Sequence, residues 1–238
     1  MSRKTAVILA GGRGTRLRPY TWVLPKPLMP IGEIPILEIV IRQLKHHGFT
    51  RIILAVNHQA EMLQAVMGDG SKYGVRIEYS LEKKPLSTMG PLRLMKKLPE
   101  HFLVMNGDIL TDLNYTQLYR DHVKSKKIFT ISSYRREQKV DYGVLHVGVD
   151  GKLMGFEEKP VQHYQVSMGV YMVSKKVLSL ITPNVPFGFD HLMAAMLKKA
   201  EPVGVRLHRG LWLDIGRPDD YMEAMDVFSK RRRSLLKG

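Results

Sequence analysis

The chain has 238 residues, 37 of them basic and 22 acidic, and no cysteine. It can bury a large core without staples, while disulfides, thiolate metal sites and thiol nucleophiles are excluded, which fits a reducing cytoplasm. A formal charge of +15 favours polyanionic partners such as nucleic acid, anionic lipid or phosphorylated metabolites, but no apolar run approaches the ~20 residues of a membrane helix. Along the chain, TAVILA (5–10) ends in glycines instead of a small-residue cleavage site, so it reads as a first strand and not a signal peptide. ILEIVIRQLKHHG (36–48) follows as a helix with Ile36, Ile39, Val40 and Leu44 on one face, and His46 and His47 close it. Strand-like RIILAVN (51–57), RIEYSLE (76–82) and HFLVMNGD (101–108) then alternate with helical HQAEMLQAVMG (58–68), MGPLRLMKKL (89–98) and NYTQLYRDHVKS (114–125). Past residue 128 the alternation loosens. IFTISSYR, YGVLHVG and VSMGVYMVS have few helices between them and predict an antiparallel portion, before late helices in FDHLMAAMLKKA and RPDDYMEAMDVFSKRRR.

This order predicts an α/β fold: a Rossmann-like three-layer αβα domain with a mixed, mostly parallel central sheet. One domain is expected over 1–238, with an N-terminal lobe to about 127, a C-terminal lobe from about 128 and a cleft between them. The closing SKRRRSLLKG reads either as a solvated helix end, where cations suit the dipole, or as a polyanion-binding tail. The nine histidines form no ligand cluster, and no aromatic-interleaved basic stripe or helix-turn-helix pattern points to nucleic acid.

VILAGGRGTRLRP (7–19) places Gly11, Gly12 and Gly14 beside Arg13, Arg16 and Arg18. Glycines at a strand-to-helix turn let backbone N–H groups approach an anion, Thr15 adds a hydroxyl and Arg16 a fork for phosphate oxygens. The string is not a P-loop, having no Gly-Lys-Ser/Thr at the required spacing, and Leu17 stands where the dinucleotide fingerprint needs its third glycine.

LAGGRGTRLRPYTWVLPKPLMPIGEIPIL (9–37), EKKPLSTMGPL (82–92), FLVMNGDILTDL (102–113), GFEEKP (155–160) and GLWLDIGRPDDY (210–221) occur in one order. That order resembles the sugar-1-phosphate nucleotidyltransferases, and it is closest to the mannose-1-phosphate and heptose-1-phosphate guanylyltransferases. The resemblance implies Mg²⁺-dependent transfer from a nucleoside triphosphate, GTP favoured, to a sugar 1-phosphate. It also implies an N-terminal nucleotide lobe and a C-terminal sugar lobe. Further expectations are a homodimer, a cytoplasmic location, no nucleic-acid partner and no membrane insertion. The sequence stops soon after DDYMEAMDVF, so no left-handed β-helix of hexapeptide repeats is expected.

Such a reaction brings two anions together and releases a third, so it needs positioning and charge neutralisation more than a nucleophile. Asp108 ends an apolar run, where ligands of open sheets collect, and a carboxylate there suits Mg²⁺. The resemblance pairs it with Asp214 across the cleft, gives the phosphates being joined to Lys26 and the triphosphate to Arg16. It assigns the nucleotide to Leu9, Ala10, Gly11, Gly12, Gly14, Thr15 and Arg16, with Glu82, Pro85, Ser87, Thr88, Asn106 and Gly107. It assigns the sugar phosphate to Lys26, Gly143, Glu158, Lys159, Ser167 and Asp214. Glu82 can accept from guanine N1–H and the 2-amino group, donors that uracil and thymine lack as a pair. In the guanylyl members the segment after Pro-Leu usually reads Gly-Thr-Ala-Gly; Ser87 and Met89 depart from that, as Ser167 departs from a common Asn. The alternatives are a thymidylyl-, uridylyl- or cytidylyltransferase acting on glucose 1-phosphate or a related sugar phosphate, or a catalytically silent nucleotide-sugar sensor.

Overall fold

A computed structural model of the chain describes residues 3–12, 14–57 and 59–236. The first half contains β1 (Lys4–Leu9), α1 (Tyr20–Val23), β2 (Pro30–Ile31), β3 (Ile34–Pro35), α2 (Ile36–His46), β4 (Phe49–Val56), α3 (Ala60–Met67), β5 (Arg76–Leu81), β6 (His101–Asn106), β7 (Ile109–Thr111) and α4 (Tyr115–Ser125). The second contains β8 (Phe129–Lys139), β9 (Val144–Val147), β10 (Leu153–Glu157), β11 (Val161–Ser174), α5 (Phe189–Lys198), β12 (Val203–His208), β13 (Trp212–Asp214) and α6 (Pro218–Leu235). Seven strands form one sheet in the order β12-β8-β11-β6-β1-β4-β5. β1, β4, β5 and β6 run parallel, β12 is parallel to β8, and only β11 is antiparallel to both its neighbours. The sheet is therefore mixed and mostly parallel, as expected, and strands from both sides of residue 128 share it.

Side chains alternate across a strand, so a sheet covered on both faces needs apolar residues at successive positions. Ala6 and Ile8 enter one core with α2, α3, α4 and α6, whereas Val7 enters a second core with Leu192 and Met196 of α5. α2 follows Pro35, carries Glu38 in its first turn and Lys45 and His46 in its last, and stops before Gly48 at φ +81°. Asn114 caps α4, its Oδ1 accepting from the Gln117 N–H at 2.9 Å. One expected helix is corrected. Within 89–98 only Gly90–Leu94 is helical, as a 3₁₀ turn. The chain leaves this turn at Met95, which is extended (ψ 128°), and Lys97 beyond it has φ +57°, while the Met89 and Gly90 N–H groups at its start are held by the Phe187 carbonyl at 2.9 Å each. Among the described residues no helix is long and apolar enough to cross a membrane.

Candidate active site

β1, β4 and β6 end side by side, and backbone hydrogen bonds lace the segments that leave them. Ala10 N–H donates to the Ala55 carbonyl (2.9 Å), Gly107 N–H to Leu9 (3.1 Å) and Glu82 N–H to Val56 (2.9 Å). At this carboxyl rim lies a cavity of about 330 Å³ lined by Leu9, Gly11, Gly12, Ala55, Asn57, Glu82, Pro85, Ser87, Thr88, Pro91, Asn106 and Asp108. Nine of those twelve are expected nucleotide or metal residues. Ala55, Asn57 and Pro91 were missed, and the carboxyl-end rule that picks out Asp108 would have reached Ala55 and Asn57 as well.

Gly14, and neither Gly11 nor Gly12, carries the left-handed backbone of the turn (φ +59°). A Cβ there would meet the Thr21 methyl at 2.8 Å, and the Thr21 hydroxyl donates to the Gly14 carbonyl at 2.8 Å. Gly11 has a different constraint, because a Cβ would stand 3.2 Å from both Asn57 Nδ2 and Glu82 Oε1. Thr15 and Arg16 lie in an exposed 3₁₀ turn outside the cavity lining. The Arg16 guanidinium packs over Gly216, where a Cβ would meet it at 3.0 Å, and its charge acts on Asp214. Arg13 lies outside the described residues.

Asp108 follows β6 and precedes β7. β7 pairs with β13 so that Asp214 faces Ile109, and the Ile215 N–H donates to the Asp108 carbonyl at 3.1 Å. A two-stranded ladder thus brings together two carboxylates that are remote in sequence. Lys26, in the 3₁₀ turn Lys26–Leu28 between prolines, forms an ion pair with Asp108 Oδ2. The other oxygen, Asp108 Oδ1, is buried with no hydrogen-bond partner among the described residues. Burial, and then the charge of Asp108, raises the Asp214 pKa above the usual carboxylate range; Lys26 and Arg16 oppose that. An unpartnered buried carboxylate oxygen beside a second carboxylate under repulsion fits a hard divalent cation. Among the described residues no group of three or more His, Asp or Glu forms a metal site. Two carboxylates suit Mg²⁺, which commonly takes its remaining oxygens from phosphates and water.

Glu82 Oε2 accepts from the Leu86 N–H at 3.0 Å, and burial raises the Glu82 pKa. Ser87 sits at φ +63°, the form glycine adopts without strain. Its segment is strapped to the start of α5: Phe187 N–H donates to the Leu86 carbonyl and Phe189 N–H to Thr88 Oγ1, both at 2.9 Å. Met89 is fully buried in the second core. The two departures from the guanylyl pattern thus have separate accounts: Met89 packs inward, and Ser87 occupies a glycine-like backbone on the cavity wall.

The sugar-side residues are arranged differently. β10 ends at Glu157, so Glu158 and Lys159 lie beyond the strand, just before Pro160. They are 63% and 67% exposed, pair loosely at 4.0 Å, and Lys159 has φ +45°. Gly143 has a packing reason to be glycine, since a Cβ would lie 2.5 Å from the Phe156 ring and 3.3 Å from Glu158 Oε2. Ser167 Oγ is bonded to the Tyr171 hydroxyl (3.0 Å) and accepts from Gly169 N–H (3.3 Å). Gly169 comes close enough to the cavity that a Cβ would meet Asn106 Nδ2 at 2.6 Å. Among the described residues no hydrogen bond or ion pair joins Gly143, Glu158 or Lys159 to Asp108, Asp214 or Lys26.

The family model described as Nucleotidyl transferase matches residues 5–231. The chain belongs to this nucleotidyl transferase family. Among similar proteins, the mannose-1-phosphate guanylyltransferase catalytic subunit beta of Drosophila pseudoobscura pseudoobscura is 35% identical over 94% of this chain and 62% of its own length. The mannose-1-phosphate guanyltransferase of Yarrowia lipolytica is 34% identical over 93% of this chain and 63% of its own length. A UTP–glucose-1-phosphate uridylyltransferase of Synechocystis is 31% identical over 92% of this chain and 62% of its own length. The chain therefore spans somewhat under two thirds of these relatives. Among solved structures, HddC from Yersinia pseudotuberculosis complexed with GMP-PN superposes with a TM-score of 0.73 at 26% identity, covering 94% of this chain and 99% of that one. In this nucleotidyl transferase chain the glycine turn follows β1 and Asp108 follows β6, while Asp214 is carried by the separate β7–β13 ladder.

Proposed function

We propose that the chain transfers a guanylyl group from GTP to the phosphate of a sugar 1-phosphate, mannose or heptose, with Mg²⁺, releasing pyrophosphate. The observation that carries this reading is the pairing of Asp108 and Asp214 beside Lys26, on the same rim as the cavity that holds Glu82. The names of the guanylyltransferase relatives agree with it. An oxygen of the sugar phosphate attacks the α-phosphorus of GTP, and the bond from that phosphorus to the oxygen bridging it to the β-phosphate breaks in line, so no protein group is modified.

Each residue then has a separate task. The ionised Glu82 accepts from guanine N1–H and the 2-amino group. The turn around Gly11, Gly12 and Gly14 presents backbone N–H groups to the triphosphate, and Arg16 neutralises charge at its outer side. Lys26, held by Asp108 before substrates arrive, turns its ammonium to the phosphates being joined. Asp108 and Asp214 would hold Mg²⁺, which when bound neutralises phosphate charge. Glu158 accepts from sugar hydroxyls and Lys159 pairs with the sugar phosphate, with Gly143 and Ser167 shaping that end of the site.

Pyrophosphate release across five nucleoside triphosphates and several hexose and heptose 1-phosphates tests the reading. GTP with mannose or heptose 1-phosphate is expected to lead. A preference for TTP or UTP would remove the role of Glu82, and UTP with glucose 1-phosphate belongs in the matrix because of the Synechocystis relative. Silence with every pair would overturn the transfer itself.

A further inference from the structure

Asn57 is the first residue beyond β4. Asn57, Glu82 and Pro85 are shared by two spaces, the 330 Å³ cavity and an outer cleft of about 740 Å³ that Arg18, Trp22 and Lys83 also line. The Asn57 side chain therefore stands in the wall between them. Its Nδ2 donates to the Gly11 carbonyl.

The neighbours show what that bond does. Ala55 accepts from the Ala10 N–H and Val56 from the Glu82 N–H. Three consecutive residues at the end of β4 thus tie the glycine turn on one side and Glu82 on the other. Two of the ties are backbone to backbone; the third uses a side chain, and a substitution can remove it alone. Gly11 lies between the two partners, with room for a Cβ closed off by Asn57 Nδ2 and Glu82 Oε1 at 3.2 Å each. Gly12, the next residue, has nothing within 4 Å of its Cβ position. A glycine pair has wide conformational freedom of its own, so a hydrogen bond to the first carbonyl is a large part of what orients the turn.

We propose that Asn57 is a positioning residue for the nucleotide: by holding the Gly11 carbonyl it fixes the glycine turn relative to Glu82, so that the phosphate and base ends of one nucleotide are seated together. This rests on the reading that the base meets Glu82 and the phosphates meet the glycine turn. Asn57 touches neither reacting atom. It acts through Gly11, and its loss separates two contacts that the wild type makes at once.

The test is equilibrium binding of Mg·GTP and Mg·ITP to the full chain, with the sugar 1-phosphate KM measured alongside. Inosine lacks the 2-amino group, so the GTP-to-ITP ratio reports how well the base engages Glu82. In Asn57→Leu, which keeps much of the shape and removes the donor without adding charge, and in Asn57→Ala, the GTP Kd should rise roughly tenfold. The GTP-to-ITP ratio should fall toward one, and the sugar 1-phosphate KM should stay unchanged. A thermal melt confirms that each variant is folded, and either folded variant decides the matter. A GTP Kd within twofold of wild type, or equal weakening of GTP and ITP, would overturn the inference alone. A wild type that binds GTP and ITP equally would overturn the base reading at Glu82, and the positioning role with it.

Discussion

The two ends of the candidate site are built by different means. The proposed nucleotide end lies where the parallel strands β1, β4, β5 and β6 stop together, so Gly11, Asn57, Glu82 and Asp108 arrive at one cavity through backbone bonds within a buried sheet. The proposed sugar end hangs on β9 and β10, a two-stranded ribbon just beyond which Glu158 and Lys159 are mostly exposed. Two strands without a covering layer are marginally stable in water, whereas central parallel strands are held on both faces. A preformed site takes its substrate with little ordering of its own side chains, and an exposed one must order them on binding. Under the proposed function, charge neutralisation is built in at the nucleotide end, while sugar recognition is added by surface side chains.

This contrast can be broken by mutation. Lys26→Ala should lower turnover by roughly 10²–10³ with far-UV circular dichroism unchanged, since a preorganised charge is lost; Lys159→Ala should mainly raise the sugar 1-phosphate KM. If the two variants behaved alike, the distinction between the ends would fall.

The packing of α4 on the central sheet can be probed by pH. His122 of α4 is buried, its Nδ1 2.8 Å from Thr130 Oγ1 of β8 and its Nε2 3.2 Å from His101 Nδ1 of β6. Burial, then the charge of His101, lowers its pKa to about 4. The unfolded chain takes up this proton near pH 6.5 and the folded chain only near 4, so folding stability falls as pH drops across that window. The loss is on the order of 3 kcal/mol, or roughly 5–10 °C in Tm, and thermal melts of wild type and His122→Gln should show the slope flattened in the variant.

At the base, the raised Glu82 pKa predicts that the GTP KM climbs as the solution is acidified and the carboxylate takes a proton. Glu82→Gln should be weaker at neutral pH and lack that climb. The smallest stability change is expected at Asp214, where burial and Asp108 both oppose ionisation. Asp214→Asn, melted in chelator, should be more stable by about 2–4 °C even as activity is lost.

Much of the nucleotide end could be read in advance because its signals are local. TAVILA and FLVMN are apolar at successive positions, as two-faced strands must be, and the glycines and Asp108 stand at their ends. The pairing of Lys26 with Asp108, 82 positions apart, was not legible, since spacing along a chain says nothing of two loops meeting above a sheet. Asn57 escaped because an asparagine after a strand is also an ordinary turn former. The helix expected over 89–98 is cut to the turn Gly90–Leu94 because Met95 is extended and Lys97 beyond it takes φ +57°. At the sugar end GFEEKP marked the pair Glu158 and Lys159, but not that it would stand in solvent.

Pyrophosphate release from GTP and mannose 1-phosphate or heptose 1-phosphate with Mg²⁺, measured side by side for wild type and Asp108→Ala, tests the paired-carboxylate account most directly. The account predicts turnover in the wild type and a fall of roughly 10²–10³ in the variant with its fold retained. Equal rates in the two proteins would contradict it.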